Sequence, residues 1–357
     1  MSTSSTSSHP GARGIGRRDF VKLGAGAGAM LTMMDARPTW AQGASARPGI
    51  VDVHAHWHPQ TYVDAMRDLG RTGPPLANTP FNVDLNQRLE WMDEHGVQTH
   101  CLTILTPAVH WAPGDVGARL ARIVNDAAIA AHEAHPTRFI AGVATPVQDP
   151  KRSLEELNRV AGNPAFRGVH LPNSHEGEDY IFEPDFEPLL ARCQELGLPL
   201  LFHPMGAQIG SERMRGPGFL NNSIGNPMEH TTTAAKFITT GTLDKFPKLD
   251  IVLPHSGGAF PYLAGRIEHG LARSNITMPR PFREYIRRFH YDTITYYTKT
   301  LRFLIDLVGA DRVVVGTDRF ARMDLEDPAG LVESVNLSTA DRDLIIAGNA
   351  KRLFKMS

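Results

Sequence analysis

From residue 49 to the C-terminus, eight short apolar runs alternate with longer segments of helical period. Few folds admit that alternation, because strands buried on both faces need parallel neighbours to pair with and helices to cover them. The runs fall at 49–53, 97–105, 139–143, 168–171, 199–202, 249–253, 290–294 and 312–315, and helix signals follow. Asp149 stands before Pro150 at a first helical position, with Gly162 closing that segment. Phe186, Leu189, Leu190, Cys193 and Leu196 stripe a second helix ending at Gly197; Leu301, Leu304, Ile305 and Val308 stripe a third ending at Gly309. Eight such units predict an α/β chain closed into a (β/α)8 TIM barrel, a fold that needs about 250 residues plus insertions. The stretch at 205–226, rich in Gly, Ser, Asn and Met, is too long for a connector and is expected to lie over the active-site face.

Composition narrows the function. The 357 residues carry 37 Lys+Arg against 38 Asp+Glu, a net charge of -1, so no basic excess exists to displace phosphate counterions and a nucleic-acid partner is not expected. No apolar run reaches the roughly 18 residues of a membrane span. Two cysteines exclude a disulfide scaffold or a thiolate zinc knuckle. Cys101 lies inside a strand and Cys193 on an apolar stripe, which reads as two buried free thiols.

Residues 1–46 read as a leader and short linker, with the catalytic domain at 47–357. Arg17 and Arg18 precede Phe20 and a mildly apolar, Gly/Ala-rich stretch, with small residues for cleavage after Ala41 or Ala46. This is the layout of a bacterial twin-arginine signal, and it predicts a periplasmic or secreted protein handled by that export machinery.

The chemistry concentrates at strand ends. His54 and His56 are two apart on one strand and share a face. His203 follows the fifth run, His255 the sixth and Asp318 the eighth. In a barrel these ends ring one mouth. Three imidazoles and a carboxylate suit a borderline divalent ion, Zn first, with Mn, Fe or Co as alternatives. Any one of these residues alone reads as a solitary polar group where strand meets loop; five in this order read as a metal site of the metal-dependent hydrolase type. His170 and His175, near the end of the fourth run, are candidate pocket residues together with His58 and His110. His132, His135 and His269 read as solvated helix-face residues.

The stretches 51–56, 246–249, 255–262 with Gly265 and Arg266, and 316–318 resemble the amidohydrolase superfamily, in its branch of aminocarboxymuconate-semialdehyde decarboxylase and related metal-dependent enzymes. The resemblance runs from residue 49 to the C-terminus. It implies metal ligation by His54, His56, His203 and Asp318, with His255 as the base that activates metal-bound water and Asp318 sharing the proton shuttle. Binuclear barrels of this type often bridge two metals with a lysine at strand four. The segment 167–172 holds none, so one metal is expected. Arg266 matches an arginine that in relatives reaches a neighbouring subunit's substrate carboxylate, which implies a homodimer. In place of the family's aromatic and proline after the strand-eight Asp, this chain has Arg319-Phe320-Ala321. Arg319 either meets a substrate carboxylate or turns outward to Asp324 or Glu326.

The resemblance favours non-oxidative decarboxylation of an aromatic or unsaturated carboxylic acid. The same parts would serve hydrolysis of a lactone, ester or amide, toward which export leans. A non-catalytic periplasmic binding protein is the third possibility.

Overall fold

The computed structural model describes residues 47–71, 83–206 and 209–357. The leader reading at 1–46, including Arg17 and Arg18, lies outside the described residues.

Eight parallel strands pair in chain order: β1 (Ile50–Trp57), β2 (Val97–Ile104), β3 (Phe139–Ala144), β4 (Phe166–Pro172), β5 (Leu200–His203), β6 (Ile251–Leu253), β7 (Phe289–Asp292) and β8 (Val313–Val314). The sheet closes past β8. Val53 N–H donates to Val315 O at 2.9 Å and Asp318 N–H to His54 O at 2.8 Å, and Ala55 pairs with Arg319. The expected barrel is therefore the observed one. The strands are buried along nearly their whole length, as their unbroken apolar runs require.

β1 runs four residues further than its apolar run, through His56 to Trp57. His54 and His56, expected to share a face of this strand, continue its pairing with β2, His56 opposite Thr103. β8 is shorter than its run, and Asp318 beyond it takes a φ of 57°.

Helices cover the outside. α1 (Gln60–Asp68) and α2 (Leu85–His95) follow β1, and α3 (Gly114–Ala134) follows β2. α4 (Pro150–Val160) starts where expected, with Asp149 Oδ1 accepting from Arg152 N–H at 3.0 Å. α5 (Glu187–Leu196) stops at Gly197, whose φ of 60° is the left-handed stop a glycine supplies. α6 (Asn226–Thr239), α7 (Phe260–Leu271) and α8 (Thr298–Val308) complete the outer ring with shorter helices between and after them. Their buried stripes, such as Leu301, Leu304, Ile305 and Val308 on α8, join the strands' outer faces in one core. Cys101 and Cys193 are buried free thiols in it. No described helix is long and apolar enough to cross a membrane.

Two of the histidines read as solvated are tied down. His132 Nδ1 lies 2.7 Å from Phe139 O, fastening α3 to β3, and His135 packs on the Phe139 ring. His269 is exposed, as expected.

Candidate active site and metal centre

β1 delivers His54 and His56, the last residue of β5 is His203, and Asp318 follows β8; all four are buried and their donor atoms lie within 4.8 Å of one another. The Nε2 atoms of His54 and His56 are 3.2 Å apart, and those of His56 and His203 are 3.1 Å apart. Asp318 Oδ1 is 2.7 Å from His56 Nε2 and 3.3 Å from His54 Nε2, yet it has no hydrogen bond of acceptable geometry. Lone pairs converging on one buried point repel unless a cation sits among them. The arrangement fits one divalent ion held by three imidazoles and a carboxylate.

The outer nitrogens decide which inner ones carry lone pairs. Asp292, the last residue of β7, places Oδ2 2.8 Å from His54 Nδ1, so His54 donates there and presents Nε2 bare to the cluster. Thr103 Oγ1 lies 3.3 Å from His56 Nδ1. Burial disfavours a charged His54, but with no cation in the cluster Asp292 and Asp318 outweigh it and raise its pKa to about 10; a bound cation would take the place of the Nε2 proton. Burial, with His56 beside it, pushes His203 well below the usual imidazole range. Burial would raise the pKa of Asp318, but the imidazoles of His203, His255 and His54 around it hold it well below the carboxylate range.

The turn after β6 explains its sequence. Residues 255 to 258 all take positive φ: His255 50°, Ser256 56°, Gly257 73° and Gly258 65°. A Cβ on Gly258 would stand 1.9 Å from Pro227 O, and one on Gly257 would stand 2.8 Å from the Tyr291 ring. Only glycine fits either place. Ser256 N–H donates to Asp292 Oδ1 at 2.8 Å and Ser256 Oγ to Asp292 O at 3.1 Å, pinning the turn to β7. His255 thus points Nε2 at Asp318 Oδ2, 3.6 Å away, while its Nδ1 meets Nε2 of His230 on α6 at 3.1 Å.

A cavity of about 950 Å³ opens onto His203, His255 and Asp318. The 205–226 segment supplies much of its wall, including Met214, Phe219 and Leu220, as a loop over the active-site face should. His58 lines it too, held through Nε2 by Leu105 O at 3.1 Å. Three arginines line the cavity, Arg71, Arg215 and Arg322; among the described residues none of them meets a carboxylate, and Arg322 rests on Phe219 at 4.4 Å.

Other candidates lie elsewhere. Arg319 takes the outward alternative: it pairs with Asp324, stacks on Trp91 and Phe320 at 4.4 Å each, and is not in the cavity wall. His170 is buried inside the barrel beside His203, with ring centroids 6.4 Å apart, rather than lining the large cavity. His175 sits in a turn paired with Glu178, 6.5 Å from the His110 ring, and neither ring reaches the cavity wall. Arg266 is exposed on α7.

Sequence reasoning missed Asp292, His230 and Arg322. Asp292 ends a strand as Asp318 follows one, so the same rule could have found it. His230 lies mid-helix, 25 residues before His255, with no local signal.

A family model described as "Amidohydrolase" matches residues 51–356. The chain belongs to the amidohydrolase family. The chain is 31% identical over 283 residues to a gamma-resorcylate decarboxylase of Rhizobium sp. (strain MTP-10005), covering 75% of this amidohydrolase and 86% of that enzyme. It is 29% identical over 274 residues to 2-amino-3-carboxymuconate-6-semialdehyde decarboxylase of Dictyostelium discoideum, covering 75% of each chain. Among solved structures, a dihydroxybenzoic acid decarboxylase from Polaromonas sp. JS666, with bound manganese and the inhibitor 2-nitroresorcinol, superposes with a TM-score of 0.75 at 27% identity, covering 86% of this chain and 97% of that one. The family and the decarboxylase branch expected from the strand-end motifs are those found.

Proposed function

We propose that this amidohydrolase is a metal-dependent, non-oxidative decarboxylase of a small aromatic carboxylic acid. The observation that carries the reading is the four-donor cluster with His255 beside it, opening onto an arginine-bearing cavity, in a family whose cited relatives are decarboxylases. When bound, the divalent ion supplies Lewis-acid polarisation of an oxygen at the reacting end. His54, His56, His203 and Asp318 would hold it.

The chain's own residues do the rest. Arg322, with Arg71 and Arg215, draws the carboxylate into the cavity, since a guanidinium binds a carboxylate through paired charge-assisted hydrogen bonds. The carbon–carboxylate bond breaks, CO2 leaves, and the electron pair stays on the ring carbon, which must take a proton. His255 Nε2 is placed to hold and deliver that proton. When His230 Nε2 donates across the 3.1 Å contact, His255 Nδ1 accepts and the His255 proton is left on Nε2.

Zinc is the ion inferred from the donor set, and the Polaromonas relative's manganese makes Mn the competing choice. Elemental analysis of the purified protein decides between them, with about one ion per chain expected. The exposed face of α7, with Arg266 and the 80% exposed Tyr262, is proposed as a homodimer contact, and sedimentation as an active monomer would remove it. Export through Arg17 and Arg18 is proposed from the sequence alone, and unaltered export of the Arg17→Lys, Arg18→Lys variant would remove that.

The deciding experiment follows CO2 and new acid groups across one panel of hydroxybenzoic acids and neutral lactones, esters and amides. CO2 from an aromatic acid, abolished in His255→Ala with the metal retained and in His203→Ala with the metal lost, is expected. Acid from neutral substrates with no CO2 would replace the decarboxylase by a hydrolase.

A further inference from the structure

Beneath the metal cluster, inside the barrel, lies a second cavity of about 10 Å³, lined by His54, His170, Leu201, His203 and Val252 among others. Two buried ring nitrogens at this level have no hydrogen-bond partner: Nδ1 of His203 and Nε2 of His170. His170 is 2% exposed and His203 5%. A ligating histidine needs its outer N–H satisfied, because that bond fixes both the tautomer and the direction of the ring. His54 has Asp292 for this purpose, whereas no side chain or carbonyl serves His203.

The two rings cannot bond directly. Their centroids are 6.4 Å apart, against 5.2 Å for His230 and His255, whose nitrogens do meet at 3.1 Å. The small cavity is lined by both rings, and a volume of about 10 Å³ is about one water. His203 must offer the lone pair of Nε2 to the metal, so its proton resides on Nδ1 and is donated downward. A neutral His170 with its proton on Nδ1 has the Nε2 lone pair to accept with.

We propose that an ordered water occupies this cavity, accepting from His203 Nδ1–H and donating to His170 Nε2, so that His170 positions the metal ligand His203 from below. The inference rests on the metal-site reading above and gives His170 a task different from the substrate contact expected of it. It also accounts for a polar side chain where the outward-facing neighbours Val169 and Leu171 are fully buried and apolar.

The test uses the full protein with Zn2+ as probe in chelator competition. His170→Leu removes the acceptor and is expected to weaken Zn2+ binding tenfold or more, the usual cost of losing a ligand's outer partner. His170→Gln keeps a polar group at the same reach and should restore affinity to within a few-fold, which a purely packing role would not require. A high-resolution crystal structure of the metal-loaded wild type should show a water about 3 Å from both nitrogens, and this arm stands even if His170→Leu fails to fold. Wild-type Zn2+ affinity in a folded His170→Leu, or a dry cavity in the crystal, overturns the inference while leaving the metal site intact. A wild-type protein that binds no divalent ion overturns both.

Discussion

Asp292 and His230 each hydrogen-bond a residue that does chemistry, Asp292 through Oδ2 to His54 while its Oδ1 holds the Ser256 turn, and each can be tested by substitution. Asp292→Asn keeps an acceptor near His54 Nδ1 but removes the charge that raises the basicity of the ring. It is expected to lower divalent-metal affinity by about 10- to 100-fold, read by chelator competition; unchanged affinity would show that the carboxylate is merely buried there. His230→Leu leaves every proposed ligand in place and takes away the partner of His255 Nδ1. A drop in kcat of about tenfold or more with metal content unchanged is expected, since positioned proton transfer contributes about 10²- to 10⁴-fold. A fall in KM-dependent terms alone would place His230 in binding instead. At this scale the sequence displayed the ligands better than their supports. His54 and His56 announce themselves by spacing, while Asp292 and His230 matter only through contacts that strand and helix make after folding. Arg319 shows the converse: its neighbour Asp318 faces the cluster, and a side chain one residue on leaves the opposite way, to Asp324 and Trp91.

The turn after β6 is the element on which the site most depends. Four successive residues in the left-handed region swing His255 over the mouth, and two of them are glycines pressed against Pro227 and Tyr291. Gly258→Ala must either push α6 away or relax the turn. The expected outcome is a loss of more than about 1 kcal/mol in stability, seen as a lower denaturant midpoint, together with lost turnover. A variant with the wild-type midpoint would mean that Pro227 yields at no cost. The run His255-Ser256-Gly257-Gly258 is legible as a turn from its glycines, but its hand and its docking on β7 are not. β1 teaches a related point. Its hydrophobic run stops at Val53, yet the strand continues to Trp57, because ladder hydrogen bonds belong to the backbone and do not stop where side chains turn polar.

For the whole molecule, the buried histidines make stability depend on pH. His58 is 1% exposed, and burial lowers its pKa from 6.5 to about 3. His170 and His230 are pushed down in the same way. The unfolded chain therefore binds protons below pH 6.5 that the folded one refuses, so this contribution is present above that value and is lost as pH falls from about 6.5 toward about 3. Each such histidine contributes a slope of about 1.4 kcal/mol per pH unit in that window. Denaturant midpoints of the metal-free protein at pH 7.5, 6 and 5 should fall progressively, and His58→Phe should flatten the fall; an unchanged slope in that variant would show that His58 charges in place. By itself the sequence determined the barrel, the metal cluster and the family, because hydrophobic period and strand-end position are local patterns that a parallel sheet converts directly into depth and direction. Tertiary structure alone decided which arginines face the cavity, that His170 lies inside the barrel near His203 rather than in the cavity wall, and that His230 and Asp292 contact His255 and His54. Those outcomes depend on side-chain direction and on contacts between elements distant in the chain, which no local period encodes.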